Sequence, residues 1–453
     1  MTSAEGGLIM LASRTGRLFL GLLFVCFFLL SSSYCIAANR VKNGERLQPI
    51  PSAPSEDDDY SGPDAESSYD AGEPCYDDEC SFCEVPLCSP PGRFWIRADW
   101  LMWWTSPVHL PPLVTTSPQG TLQEEAGVLG FPNTEVLFGD SFINDGGRSG
   151  VRITVGGWLD RCHTWGLEGD WLTLGGVSTN YSNQSFGDPI LARPFFDVES
   201  GAQNSEITAY QDVATGSVDI NGNSYFDSVG MAMRYNLCCN SCGDPCGDEC
   251  IDPCTLYYCR TDLLVGFRRY TLNDNLTINE DVLHSDIDAR EQITDSFVAR
   301  NEFYGSEVGL STELRRGRWS LNLLGKMAMG NNHQTVIIDG WTTVTQEGQV
   351  DVRSGGILAV RSNMGTYTKD EFVIIPQFGA EIGYQLTCRW RTFVGYNILY
   401  WAPVMRAADQ IDLNIDPRNW PIPEDPALPF PAYPGRLTNF WAMGINVGTE
   451  LRF

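Results

Sequence analysis

Residues 440–453 read FWAMGINVGTELRF, and their two-residue period decides how the rest of the chain is read. Trp441, Met443, Ile445, Val447, Thr449, Leu451 and Phe453 share one phase; Phe440, Ala442, Gly444, Asn446, Gly448, Glu450 and Arg452 share the other. Side chains alternate across a strand, so one face is apolar, while the opposite face is small in its middle and charged at its end. A strand with lipid outside and a polar lumen inside requires that division. An edge strand of a soluble sandwich is the alternative for this segment taken alone.

The other end of the chain indicates export, after which the chain is either soluble or inserted as a barrel. Arg14 and Arg17 precede the apolar run Leu18 to Leu30, and small residues follow up to Ile36-Ala37-Ala38. This is the pattern of a secretory signal peptide, residues 1–38, with cleavage expected after Ala37 or Ala38. Its core is too short for a comfortable membrane helix, and no later run reaches the roughly 18 apolar residues that one needs. Residues 39–92 are rich in Pro, Ser, Asp and Glu, with Glu56 to Asp59 at their centre. Such a stretch has too few apolar residues to fold alone and reads as a disordered acidic arm. The formal net charge of −27 argues against nucleic acid as a partner.

From residue 93 to 453, ten segments alternate with period two: 93–104, 149–160, 164–175, 224–237, 257–271, 300–314, 319–330, 371–387, 390–401 and 437–453. About a dozen residues, tilted, suffice to cross a bilayer core. The connections alternate between short or compact (161–163, 238–256, 315–318, 388–389) and long (105–148, 176–223, 272–299, 331–370, 402–437). That asymmetry predicts an all-β fold, a transmembrane antiparallel up-and-down β-barrel with short periplasmic turns and long external loops. A further hairpin, 334–345 with 349–360, would raise the strand number to twelve. Trp100, Trp103, Trp104, Tyr396, Tyr400 and Trp401 suit an interfacial girdle.

The inward phase supplies the candidate site. Arg97, Asp99, Arg152, Glu168, Asp170, Asp262, Arg268, Glu307, Glu313, Lys326, Glu381, Arg391, Glu450 and Arg452 are expected to line the lumen, as is Arg234. Eight strands leave room only for side chains and sixteen or more leave an aqueous channel, so ten is near the filled end. Acids and bases in near balance either line a constriction or pair and plug it, because buried charges need partners.

Cysteines cluster where the turns are predicted. CCNSCGDPCGDECIDPCTLYYC carries Cys238, Cys239, Cys242, Cys246, Cys250, Cys254 and Cys259, with Gly, Asp and Pro as turn residues between them. Seven is odd, so at least one thiol must pair with Cys162, Cys388, the arm or another chain. The arm has Cys75, Cys80, Cys83 and Cys88, whose spacing does not match the paired knuckles of zinc sites. Export makes disulfides the default for this whole set, with covalent partners in the envelope as one outcome, and no metal is assigned.

Enzyme signatures are sparse. His109, His163, His284 and His333 fall in predicted loops or turns, and His284 with Asp286 and Asp288 is the one acid and histidine grouping at the rim. DNLTINED (274–281) and DQIDLNID (409–416) offer oxygen ligands for calcium without the full spacing of a calcium loop. No cofactor is expected.

FWIRADWLMWW (94–104), GVRITVGGWLD (150–160), EGDWLTLG (168–175), LLVGFRRYTLNDNLTI (263–278), ARNEFYGSEVGL (299–310) and FVGYNILYWAPVMRAADQID (393–412) together resemble the putative beta-barrel porin family seven. The resemblance covers residues 93–453 and implies an outer-membrane barrel, a porin-like passive channel and no catalytic residues. A plugged structural or adhesive barrel, cross-linked through its cysteines, is the alternative, and an outer-membrane hydrolase the remote one. The expected surroundings are outer-membrane lipid and the barrel assembly machinery.

Overall fold

A computed structural model describes residues 92–241, 257–285, 287–419 and 428–453. The predicted leader, the arm up to residue 91 and the link 242–256 with Cys242, Cys246, Cys250 and Cys254 lie outside the described residues. The strands are β1 (Phe94–Thr105), β2 (Val108–Leu110), β3 (Val114–Thr116), β4 (Glu135–Phe138), β5 (Ser141–Ile143), β6 (Gly147–Trp158), β7 (Trp165–Ser185), β8 (Leu191–Asp197) and β9 (Ala202–Ala209). They continue with β10 (Ala214–Ser241), β11 (Tyr257–His284), β12 (Ala289–Arg316), β13 (Trp319–Gln346), β14 (Gln349–Ser354), β15 (Gly365–Thr387), β16 (Trp390–Val404), β17 (Asn414–Ile415) and β18 (Thr438–Arg452).

Ten of these form a closed antiparallel ring, β1-β6-β7-β10-β11-β12-β13-β15-β16-β18, each strand beside its sequence neighbour in the wall. Closure falls between β1 and β18, from Trp95 opposite Arg452 to Thr105 opposite Ala442. Phe94 and Phe453 finish the seam by exchanging backbone bonds of 2.8 and 3.0 Å. A bilayer core offers no hydrogen-bond partner, so only a ring without edges satisfies the wall's backbone.

The twelve-stranded alternative does not form. The second segment of that hairpin begins as β14, but β14 pairs only with the last residues of β13, from Trp341 opposite Ser354 to Gln346 opposite Gln349. β15 then takes over as the wall neighbour of β13 from Ile338 downward, so the hairpin projects beyond the ring instead of widening it.

The long connections also differ from expectation. β10, β11, β12 and β13 each run for 28 residues, and most of 272–299 and the first part of 331–370 is wall rather than loop. At about 3.3 Å per residue each strand is about 90 Å long, far more than a bilayer core needs even when tilted. The residues explain the overshoot. In the lower part of β11, Val265 and Phe267 point outward and are half exposed, while Arg260, Asp262 and Arg268 point inward and are buried. In its upper part the phases keep their direction but exchange chemistry: Asn273, Asn275, Thr277 and Asn279 face out, and Leu272, Leu276, Ile278 and Val282 are buried inside.

β12 does the same, with Tyr304, Val308 and Leu314 outward below and Ser296, Arg300 and Glu302 outward above, where Ile293, Phe297, Ala299 and Phe303 turn in. The change occurs at one level of the wall, along the paired row Val229, Arg269, Tyr304, Asn331 and Phe372. Polar pairs mark it on the outside: Arg269 with Glu302 at 2.9 Å and His333 with Asp370 at 3.0 Å. Below that level the barrel is built for lipid, and above it for water outside and an apolar core within.

The lipid-facing belt contains Val151, Ile153, Val155, Leu159, Trp165, Leu167 and Trp171, all well exposed. In the outward phase of β12, Leu310 is covered by its neighbours. Two of the proposed girdle aromatics are corrected: Trp100, Trp104 and Tyr396 face outward, but Trp103 and Trp401 are fully buried in the lumen. Trp103 follows Arg97 and Asp99 at even spacing, which assigns it to their phase.

Two apolar clusters fill the barrel above its charged section. The first is a layer of Leu101, Trp103, Phe226, Tyr270, Phe303, Trp401 and Phe440 with smaller neighbours. The second, farther out, packs the inward apolar residues of the tall strands against β2, β3, β8 and the segments 357–359 and 405–415. The remaining long connections therefore fold into the barrel mouth.

The two levels make distinct demands on one face. Val265→Arg should cost about 2–4 kcal/mol of unfolding free energy in lipid vesicles. Thr277→Arg, twelve residues up the same face, should change it by no more than about 0.5 kcal/mol. Equal costs in urea titrations of the two variants would refute the two-level reading.

Candidate functional site in the lumen

The predicted lumen set converges on the lower barrel. Arg97 reaches across to β15 and donates from Nη1 to Glu381 Oε2 at 2.9 Å, and its Nε donates to Asp99 Oδ1 at 3.0 Å. Arg152 Nε donates to the second Asp99 oxygen at 2.6 Å, so one buried carboxylate serves two guanidinium groups. On the facing wall Arg268 donates to Glu307 at 2.7 Å and to Asp170 at 2.8 Å, and Lys326 Nζ lies 3.1 Å from Glu307. Glu168 takes Arg234 at 2.8 Å, Asp262 takes Arg260 at 2.8 Å, and Glu450 takes Arg452 at 2.5 Å. Glu313 accepts from the Tyr258 hydroxyl at 2.8 Å, and Arg391 lies 3.8 Å from both Glu313 and Glu450. Every candidate thus sits within reach of an opposite charge, as groups in a low-dielectric interior must.

Between these pairs remains a cavity of about 110 Å³ on the short-turn side, with Trp95, Trp158 and Trp103 among its walls. The aromatic layer lies against it. Phe226 is 5.1 Å from Phe440 and 6.0 Å from Tyr270 between ring centres, and Tyr270 is 5.9 Å from Phe303 and 6.0 Å from Trp401. Tyr270 also donates to Gln377 at 3.3 Å across the lumen.

Residues missed in the sequence hold the connections that enter the mouth. Asn301 donates to the Met405 carbonyl at 2.7 Å and accepts from the Met405 amide at 2.8 Å, as a paired strand would. Asn332 and Gln334 both donate to the Pro403 carbonyl, at 3.0 and 2.9 Å. Asp295 Oδ1 accepts the amides of Leu358 and Ala359 at 2.9 and 2.8 Å, and its other oxygen takes Arg193 at 2.8 Å. The signal was polar residues recurring in an otherwise apolar inward phase.

The acidic repeats are committed elsewhere than to calcium. Asp274 holds Arg406, Glu280 holds Arg193 and Thr208, and Asp281 holds Arg290. Asp416 pairs with Arg418 at 2.7 Å, and Asp412 accepts from Asn414 at 2.7 Å. Among the described residues no cluster of His, Cys, Asp or Glu is arranged to hold a metal.

The histidines need correction too: His109, His284 and His333 belong to strands β2, β11 and β13. His163 lies in a turn, buried and stacked on Trp158 at 5.3 Å. Burial, with the Arg260 cation next, lowers its pKa to about 4. His284 lies 3.4 Å from Glu291 rather than from Asp288, which sits exposed at the hairpin tip, and Asp286 is outside the described residues. An open cavity of about 550 Å³ runs past His284, Glu124 and Glu206. Burial, then Glu280 and Glu291, push the Glu206 carboxyl up to about 8.

At the short-turn end, Cys162, Cys238, Cys239 and Cys388 are not free thiols, whereas Cys259 is free.

A closed antiparallel ring with an apolar outer belt and a charged interior defines a transmembrane β-barrel. The chain belongs to the family described as Putative beta barrel porin-7, whose model matches residues 95–453. No curated protein matches. Solved structures with a similar outline include the outer membrane protease OmpT of Escherichia coli, at 8% identity and TM-score 0.34, covering 80% of this chain and 97% of that one. The toluene transporter TodX of P. putida is 10% identical at TM-score 0.20, covering 82% and 93%. A FadL homologue of Pseudomonas aeruginosa is 7% identical at TM-score 0.20, covering 80% and 90%.

Glu206, on β9 above the lipid-facing belt, gives the fold a pH dependence with a definite sign. Its folded-state pKa lies above the ordinary carboxylate value, so the folded form holds a proton that the unfolded chain releases, and stability falls as pH rises from about 4.5 to about 8. Glu206→Gln should flatten thermal unfolding profiles over that interval, and an unchanged slope would show that another group sets it.

Proposed function

We propose that this protein is a plugged barrel of the outer membrane, an anchor that carries a tall β-walled head outside the cell, rather than an open diffusion channel. The observation that carries this is the aromatic layer: Trp103, Phe226, Tyr270, Phe303, Trp401 and Phe440 are each at most 2% exposed, from six different strands around the lumen. The connections above them are gripped by Asn301, Asn332, Gln334 and Asp295, and the charges below are paired with one another. A ring of ten strands is narrow enough to be filled by side chains. No catalytic role is assigned to any residue. On this reading the belt contacts outer-membrane lipid, the barrel assembly machinery inserts the chain after export, and nucleic acid plays no part.

Purified protein in planar bilayers should then give no conductance steps. Trp103→Gly with Trp401→Gly and Phe440→Gly, if it still inserts, should give them. Steady open-channel currents from the unaltered protein would establish the passive channel instead.

We also infer that disulfides at the periplasmic end tie Cys162, Cys388 and the end of β10 to the cysteine-rich link and arm, or to an envelope partner. Reducing and non-reducing gels should therefore differ in the mobility of native protein. Identical monomer mobility would exclude the covalent link to an envelope partner.

A further inference from the structure

The β13–β14 hairpin ends in a strand edge that no described strand covers. β12 flanks the last residues of β13 on one side and β14 flanks them on the other, but among the described residues no strand lies beyond β14. The turn residues Glu347 and Gly348 have φ of 51° and 76°, as a two-residue hairpin of the primed type requires. Gly355 N donates to Gly340 O at 2.8 Å, which fixes the parity of the strand before it. Backbone groups of an antiparallel strand alternate in direction, so Gln349, Asp351 and Arg353 turn theirs toward β13, while Val350, Val352 and Ser354 turn theirs to the open edge.

The side chains are equally unusual for this level. Val350 and Val352 are 64% and 67% exposed, where the other tall strands present Asn, Thr and Ser to water. Natural edges are commonly blunted by unpaired charge or proline. Here the only charges are Asp351 and Arg353, bonded to each other at 2.7 Å.

We propose that β14 pairs antiparallel with β14 of a second copy of this chain, Val352 against its own counterpart. Three registers bring at least two edge-directed residues of each copy into hydrogen-bonded pairs. Setting Val350 against Val352 places Asp351 opposite its own counterpart, and setting Val352 against Ser354 does the same to Arg353. Like charges directly opposite are unfavourable. Only Val352 on Val352 puts Asp351 opposite Arg353, and it does so twice. Antiparallel pairing also reverses the strand, and wall strands rise at roughly 35–45° from the membrane normal. The second copy is therefore inverted, so the contact joins barrels tip to tip from apposed membranes. This rests on the proposed role of the loop end as an external head, and not on the lumen being shut, so a conductance result leaves it standing.

The charge pattern supplies the test. Phospholipid vesicles reconstituted with the full chain should cluster in light scattering. Asp351→Arg alone places arginine against arginine and Arg353→Asp alone places aspartate against aspartate, so each should reduce clustering at least tenfold. Mixing the two vesicle populations restores opposite charges at both positions and should restore clustering between them. Unaltered vesicles that stay dispersed, single variants that cluster normally, or a mixture that stays dispersed would each overturn the proposal.

Discussion

A lipid core accepts no hydrogen bonds, and that constraint orders the rest of this molecule. Each wall strand must be paired on both sides, so β1 has to meet β18 and the chain has to return to its starting point. Closure then separates an outside from an inside, and the two-residue period of a strand distributes side chains between them. Arginines and carboxylates can enter the membrane zone only on the inner phase. There they must find one another across the ring, as Arg97 and Glu381 do from β1 and β15.

The same wall continues past the membrane, where the solvent changes but the geometry does not. Water outside reverses the preference of both faces, which is why Thr277 and Asn279 occupy the phase held by Val265 and Phe267 below. An apolar interior can then be completed only by apolar chain from within. The long connections supply it, with Val108, Leu113, Phe195 and Ile411 packed in one cluster with Ile278, Phe297 and Ile338 of the wall. Inward amides and carboxylates of the wall, together with backbone pairing such as that of Phe196 N with Leu413 O, satisfy the backbone of the entering segments.

This two-level design explains what the sequence disclosed. All ten wall strands were legible where apolar residues face lipid, and tight turns such as Gly317 and Cys388 were bracketed by unmistakable alternation. The upper strands were read as loops because an outward row of Asn, Thr and Asp looks like loop composition, although its period is unchanged. Membership of the inner phase was likewise readable residue by residue, since parity along a strand is independent of the fold around it. Pairing was not: Arg268 and Asp170 are 98 positions apart and meet only because the ring folds β7 and β11 around β10. The aromatic layer was hidden for a related reason, since Trp103, Phe226, Tyr270, Phe303, Trp401 and Phe440 come from six strands far apart in sequence.

The charges and the aromatic layer are best understood together. A selectivity filter works when its fixed charges remain available to passing ions, which requires that they be incompletely matched within the protein. In the lower barrel Asp99 is shared by two arginines, Arg268 by two carboxylates, and Glu307 by an arginine and a lysine. An ion entering such a network would have to displace partners already held at hydrogen-bonding distance, and would still meet rings of Phe226, Tyr270 and Trp401 that offer it little solvation. Paired charge below and aromatic packing above therefore act in the same sense, filling a ring that lipid forces to be closed.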